Sequence, residues 1–346
     1  MNHKSILLLA IISLMGCSNL KQSLYNGPLF NKFPSAETVK GKKYMTLANA
    51  VPRRLFIYKD QLITANRSET EDHLFSFYEL ATKKLIKHQI GFGTHFGEVM
   101  SPLSIGLIKN KLWSHDITAN KIVAIDLDSK EKVKQVEEFK LLDMVYSLQL
   151  KDSLIYYTSG HSKLNSKVQS FSIRNNMLLD QFGKYDNVPE NIPLSAWKTA
   201  NESFLFMKPD GTKLVSALRF ADQLEFFDLA SKTSKVIKGP ENIELRFDVF
   251  KHEGIDIGTR NDETRFGFLN GFATNRFIYL LYSGQLEVGK NFKYGKYIYV
   301  YAWDGRPIKK ISLPNFASCI TIVNDNELYW FDVNTNAVMN APIHVL

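Results

Sequence analysis

The chain has 346 residues, 45% hydrophobic and 23% charged, with a formal net charge of +8. This balance excludes a disordered, collagen-like or other low-complexity chain and leaves length for a sizeable core. Its two cysteines, Cys17 and Cys319, exclude a disulfide scaffold.

At the start, Lys4 gives a basic region, Ser5 to Met15 an apolar run and Gly16 a small residue ahead of Cys17, the layout of a secretory signal. The run is too short to cross a bilayer, which takes about 20 apolar residues. Leu14-Met15-Gly16-Cys17 resembles the bacterial lipobox. The resemblance implies that residues 1–16 are a lipoprotein signal peptide and that Cys17 is the lipid attachment site. One acyl chain holds a protein only marginally, whereas the three of the lipoprotein pathway hold it durably. No acidic residue directly follows Cys17, so the expected location is the outer membrane, facing the periplasm.

Residues 17–42 read as the lipidated N-terminus and a polar tether, broken at Asn26-Gly27-Pro28 and Pro34-Ser35. The basic clusters "KGKK" (40–43) and "VPRR" (51–54) interleave no aromatics, and export removes nucleic acid as a partner; they read as solvated surface.

From residue 43 onward short β-rich runs alternate with polar turns, and helical periodicity is nearly absent. "KEKVKQVEEFKLL" (130–142) fits either a helix or an outer strand. Five strand-turn-strand units place Leu80, Leu127, Ile173, Leu229 and Trp303 at equivalent positions, each unit preceded by a further strand; a sixth opens at "CITIVNDNELYWFDVNTN". In "YIYVYAW" both faces are apolar and both need cover. Asp210-Gly211 and Asp304-Gly305 supply hairpin turns. Repeats of about four strands predict an all-β protein, a six-bladed β-propeller of four-stranded antiparallel blades over residues 43–346. The last unit has room for only three strands, so "KYMTLANA" (43–50) is expected to close the ring as the outer strand of the last blade. An insertion, residues 239–267, reads as an irregular loop.

Repeat and anchor together resemble a family of TolB-like six-bladed propeller lipoproteins. The resemblance rests on "KPDGTKLVSALRFADQLEFFDL" (208–229), "YLLYSG" with "YIYVYAWDGRPIKKISLP" (279–284, 297–314), "ELYWFDV" (327–333) and "GFGTHFGEV" (91–99). The last is similar to a Gly-rich blade junction, departing from it at Thr94 and His95. It implies fold and envelope location more than any activity.

Gly91, Gly93 and Gly97 lack the following helix of a dinucleotide site and read as a blade junction. On that loop His95 and Glu98 are candidate ligand-binding residues facing the central channel. His115-Asp116, His161 and His252-Glu253 have no metal-site spacing and read as exposed turn residues. Asp128, Asp210, Asp228 and Asp304 fit turn chemistry, and no nucleophile elbow occurs. Cys319, in "ASCITIV", reads as a buried thiol. Arg260, Asp262, Glu263 and Arg265 on the insertion are further candidate ligand-binding residues, since loops on a rigid scaffold collect binding groups.

The expected function is a lipid-anchored envelope module that binds or scaffolds a peptide, glycan or protein partner. It attaches to the membrane through its acyl chains and has no catalytic residues, metal, cofactor or nucleic-acid partner. The alternative is a metal-dependent propeller enzyme of lactonase or lyase type, which needs inward ligands from several blades.

Overall fold

Phe277, Ile278, Tyr279, Leu280, Leu281 and Tyr282 are consecutive and all buried, so the strand they form is covered on both faces. Stacking small sheets radially gives the middle strands of each blade that environment. The computed structural model describes residues 29–345 apart from 48–49, 131–135, 142–144 and 159–164, so Cys17 and His161 lie outside the described residues.

Two strands, β1 (Ser35–Thr38) and β2 (Lys42–Thr46), come first. The first blade is β3 (Arg54–Tyr58), β4 (Gln61–Ala65), β5 (His73–Glu79) and β6 (Leu85–Gly91). The second is β7 (Pro102–Ile108), β8 (Lys111–Asp116), β9 (Lys121–Asp126) and β10 (Val136–Lys140), and the third β11 (Ser147–Lys151), β12 (Leu154–Thr158), β13 (Ser166–Ser172) and β14 (Met177–Lys184). After helix α1 (Leu194–Ala200), β15 (Ser203–Met207), β16 (Lys213–Leu218), β17 (Gln223–Asp228) and β18 (Ser234–Lys238) make the fourth. A hairpin of β19 (Asp248–His252) and β20 (Ile255–Thr259) intervenes. The fifth blade is β21 (Phe268–Ala273), β22 (Phe277–Tyr282), β23 (Gly295–Ala302) and the first half of β24 (Pro307–Val323). The second half of β24, with β25 (Glu327–Asp332), β26 (Ala337–Pro342) and β2, completes the sixth. The molecule is therefore an all-β, six-bladed propeller of four-stranded antiparallel blades.

Ring closure falls where the sequence puts it: β2 pairs antiparallel with β26, Lys42 opposite Asn340 and Thr46 opposite Ala337. The repeat is visible in single hydrogen bonds. The backbone N–H groups of Leu80, Leu127, Ile173 and Leu229 donate to the carbonyls of Asp60, Asn110, Ser153 and Thr212, and Ile343 does the same to Asn326 in the last blade. Each ties the end of a third strand to the first turn of its own blade.

Every junction between neighbouring blades holds its own apolar cluster. Phe75, Phe77 and Ile63 meet Ile105 and Val123 between the first two blades, while Tyr279 and Val300 meet Ile320 and Trp330 between the fifth and sixth. At about 25 cal/mol per Å² of apolar surface, these radial interfaces supply the main favourable term of folding.

Two expectations change and one ambiguity is resolved. The 17–42 tether is shorter than expected, because its second half belongs to the body: Leu29 bridges Lys238 of β18, β1 runs parallel to β24, and Phe33 is only 5% exposed among Phe30, Tyr299 and Tyr301. An apolar pair, Phe30 and Phe33, outweighs the turn signal of Pro34-Ser35. The insertion at 239–267 contains the β19–β20 hairpin, although Gly254 alone marks its turn in sequence. The ambiguous stretch 130–142 supplies β10, the outer strand of the second blade.

Candidate functional site

Inner strands β3, β7, β11, β15, β21 and the second half of β24 surround the central channel, and side-chain bonds stitch them together. Ser104 Oγ accepts from Leu148 N–H at 3.1 Å, Ser147 Oγ from Leu205 N–H at 2.9 Å, and Ser318 Oγ donates to the Pro52 carbonyl at 2.9 Å. Three further bonds reach past the sixth blade to join the first blade to the fifth. Arg54 of the first blade donates to Asn270 Oδ1 (3.2 Å) and the Gly271 carbonyl (2.9 Å) of the fifth, and its guanidinium lies 5.5 Å from the Phe206 ring centroid of the fourth. Asn270 Nδ2 returns a bond to the Arg53 carbonyl at 2.9 Å. Desolvation pushes the Arg54 pKa down to about 10, so the side chain remains a cation at neutral pH. The "VPRR" cluster is therefore not solvated surface: Arg53 also donates to the Pro102 carbonyl at 3.1 Å.

Ligand-sized space lies off the inner strands. A cleft of about 870 Å³ opens between the third and fourth blades, roofed by α1 and the insertion. Its chemistry comes from several separate places in the chain. Lys167 of β13 pairs with Glu225 of β17 (2.6 Å), and Ser234 of β18 donates to the same carboxylate (2.7 Å). Tyr185, just after β14, lies under two ammonium groups, Lys167 Nζ at 5.7 Å and Lys198 Nζ at 5.8 Å. Burial, and secondarily Glu225, raise the Tyr185 pKa, which keeps the phenol neutral. Trp197 of α1 meets Phe247 of the insertion with ring centroids 6.0 Å apart. The deep end is polar, where Ser216 Oγ donates to Ser203 Oγ at 2.7 Å. Apolar rings near the mouth and hydroxyl, amide and charged groups within suit a ligand with both kinds of surface.

The root of the insertion is fixed by two carboxylates. Asp222, buried, accepts from the backbone N–H groups of Glu241 (2.7 Å), Asn242 (2.7 Å) and Ile243 (2.9 Å). Desolvation raises its pKa, and those three amides oppose the rise. Glu241 accepts from the Tyr282 and Tyr299 hydroxyls at 3.2 and 3.1 Å, and these two rings stack at 4.5 Å.

The candidate residues from the sequence do not form one site. His95 and Glu98 close a local turn in which the Glu98 carboxylate accepts from the His95 N–H at 2.9 Å. That turn packs on β9 and β10, where Gly97 N–H donates to Glu138 at 3.0 Å and Lys121 Nζ approaches the His95 carbonyl at 3.4 Å. It thus lies against the outer half of the second blade and does not face the channel. Of the insertion cluster, Arg260 pairs with Glu287 at 3.1 Å and lies over Phe220 and Phe266. Arg265 donates to the Gly284 carbonyl at 2.9 Å; with Asp262 it borders a second hollow of about 570 Å³. Of these four residues, Glu263 alone borders both this hollow and the cleft, together with Ile243, Glu244 and Arg246 from nearer the root of the insertion.

His115 is not an exposed turn residue: it is fully buried in β8, and desolvation lowers its pKa to about 4. Asp116 beside it is buried too and caps a turn through the N–H groups of Thr118 and Ala119. Cys319 is buried, its thiol pushed up to about 12 by desolvation, which disfavours a thiolate nucleophile. Among the described residues no three His, Cys, Asp or Glu side chains converge on a metal-sized position, and no helix is long and apolar enough to cross a membrane. The cleft residues Lys167, Tyr185, Trp197 and Glu225 went unread in the sequence. The one local signal was Pro193 ahead of Leu194, Trp197 and Ala200, a short helix start between strand units.

Comparisons with known proteins agree with the fold. A family model described as TolB-like 6-blade propeller-like matches residues 30–325. No protein of curated function matches the chain. Among solved structures, a Bacteroides fragilis protein described as exported is 11% identical, with a TM-score of 0.53 over 91% of this chain and 99% of that one. The β-propeller domain of Cps50 (Swd1) from Myceliophteria thermophila is 10% identical (TM-score 0.48, 88% and 100% covered). Hydrazine synthase of Kuenenia stuttgartiensis is 12% identical (TM-score 0.45, 87% and 98%). At 11% identity the likeness to the Bacteroides fragilis protein concerns the fold alone.

Proposed function

Because this chain belongs to the TolB-like six-blade propeller family, we propose that it is a binding module of the cell envelope, anchored by lipid at Cys17 in the outer membrane and facing the periplasm. It holds a peptide, glycan or segment of a partner protein in the cleft between the third and fourth blades. The cleft carries this reading: about 870 Å³ lies within the range of small-ligand sites, and rings, amides and an ion pair converge there. The exported description of the Bacteroides fragilis propeller agrees with an envelope location.

Two measurements test it. Cys17→Ser is expected to release the chain from the membrane pellet; retention in the pellet counts against the anchor. Asn191→Trp, at an exposed wall position of the cleft, is expected to abolish capture of envelope peptides or glycans at unchanged melting temperature. Capture that survives this substitution removes the cleft from the reading.

A further inference from the structure

The β19–β20 hairpin has two unlike faces. Its register sets Val249 opposite Gly258 and Lys251 opposite Asp256 on one face, and Phe250 opposite Ile257 and His252 opposite Ile255 on the other. Around Gly258 the first face rests on α1, while Val249 opposite it is 41% exposed. A Cβ at position 258 would stand 2.5 Å from the Ala196 carbonyl oxygen, and Gly258 N–H donates to Thr199 Oγ1 at 2.6 Å. The opposite face turns outward, with Phe250 56% and Ile255 40% exposed. Scattered exposed apolar residues are ordinary, but a phenylalanine and an isoleucine sharing one face of a projecting two-stranded ribbon form a docking patch.

The course of the N-terminal segment says what covers the patch. Leu29 bridges Lys238, Phe30 N–H donates to the Lys238 carbonyl at 3.2 Å, and Asn242 Nδ2 approaches Asn31 Oδ1 at 3.4 Å. The segment therefore joins the body at the root of the insertion that carries the hairpin. Only eleven residues separate Cys17 from Leu29, and an extended chain of that length reaches at most about 40 Å. Acyl chains on Cys17 hold the hairpin side of the propeller within that distance of the bilayer. We propose that the Phe250 face of the hairpin inserts into the periplasm-facing leaflet of the membrane that holds the lipid anchor, as a second attachment that turns the cleft toward the membrane surface. This rests on the reading of Cys17 as lipidated. Tethering raises the effective concentration of the hairpin at the bilayer, so a small apolar patch suffices. The contact is apolar: Lys251 stands against Glu253 and Asp256, leaving the hairpin without positive charge to attract anionic lipid.

The test uses the full-length lipidated protein in phosphatidylcholine vesicles, with an environment-sensitive dye on His252→Cys, on the Phe250 face, or on Ala230→Cys, in the turn after β17 at the far end of the fourth blade. Cys319 is buried and does not compete for the dye. Brominated lipid is expected to quench the dye at 252 several-fold and leave that at 230 unchanged, at low and at high salt alike. Adding Phe250→Asp is expected to return the dye at 252 to the control level. Equal quenching at both positions overturns the proposal, as does a blue shift at 252 that appears in lipid-free detergent through pairing of two copies of the chain. Release of the unsubstituted chain from membranes defeats the anchor reading; a pelleted chain whose dye at 252 stays aqueous defeats only the hairpin.

Discussion

Arg54 Nη1 lies 3.2 Å from Asn270 Oδ1, joining the first blade to the fifth across the sixth. The bond links the two inner strands on either side of the sixth blade, so the ring is braced there from inside. An unpaired guanidinium in that position is tolerable because amide and carbonyl oxygens and an aromatic face replace its hydration.

Arg54→Ala leaves the Asn270 side chain and the Gly271 carbonyl short of a donor. Hydrogen bonds to a charged group contribute about 1.5–3 kcal/mol, and a loss of that size is expected in urea unfolding. Arg54→Lys is expected to recover only part, since an ammonium lacks the planar fork. Unchanged unfolding midpoints for both variants would falsify the brace.

Phe33 tests the path of the N-terminal segment. It packs 4.8 Å from the Tyr299 ring and 5.5 Å from that of Tyr301, so Phe33→Ala is expected to cost about 3 kcal/mol or more. A free tether would give no change in thermal or urea midpoint.

His115 makes stability depend on pH. Its folded pKa, about 4, lies below the ordinary 6.5, so the unfolded chain takes up the proton first as pH falls. The neutral histidine contributes its full stability above pH 6.5 and loses it progressively between 6.5 and 4, by about 3 kcal/mol in all. His115→Leu is expected to flatten the midpoint-against-pH curve over that window. An equally steep curve in the variant assigns the slope to other groups.

Asp222→Ala removes the acceptor for three amides at the root of the insertion. Amide exchange at residues 241–247 is expected to quicken by at least tenfold while strands of the first blade keep their protection, a local opening. Uniform quickening over the whole chain indicates global destabilisation instead.

Short β-rich runs broken by polar turns, Asp-Gly turns and the recurrence of Leu80, Leu127, Ile173 and Leu229 are local signals, because a blade is built from neighbours in sequence joined by short turns. For that reason the blades, their strand count, the closing strand near residue 43 and the burial of Cys319 were legible. Burial of His115 was not, since the strand in "KLWSHD" continues through a residue type that usually ends up near the surface.

What the sequence by itself determined is the repeating unit, and with it the propeller. Tertiary structure alone decided where the functional groups meet. Lys167 and Glu225 stand 58 positions apart and Arg54 and Asn270 216 apart, so no local period encodes either pair. The packing angle between blades places such side chains within reach of one another. The same packing opens the cleft between the third and fourth blades and draws residues 29–38 onto the body beside the insertion.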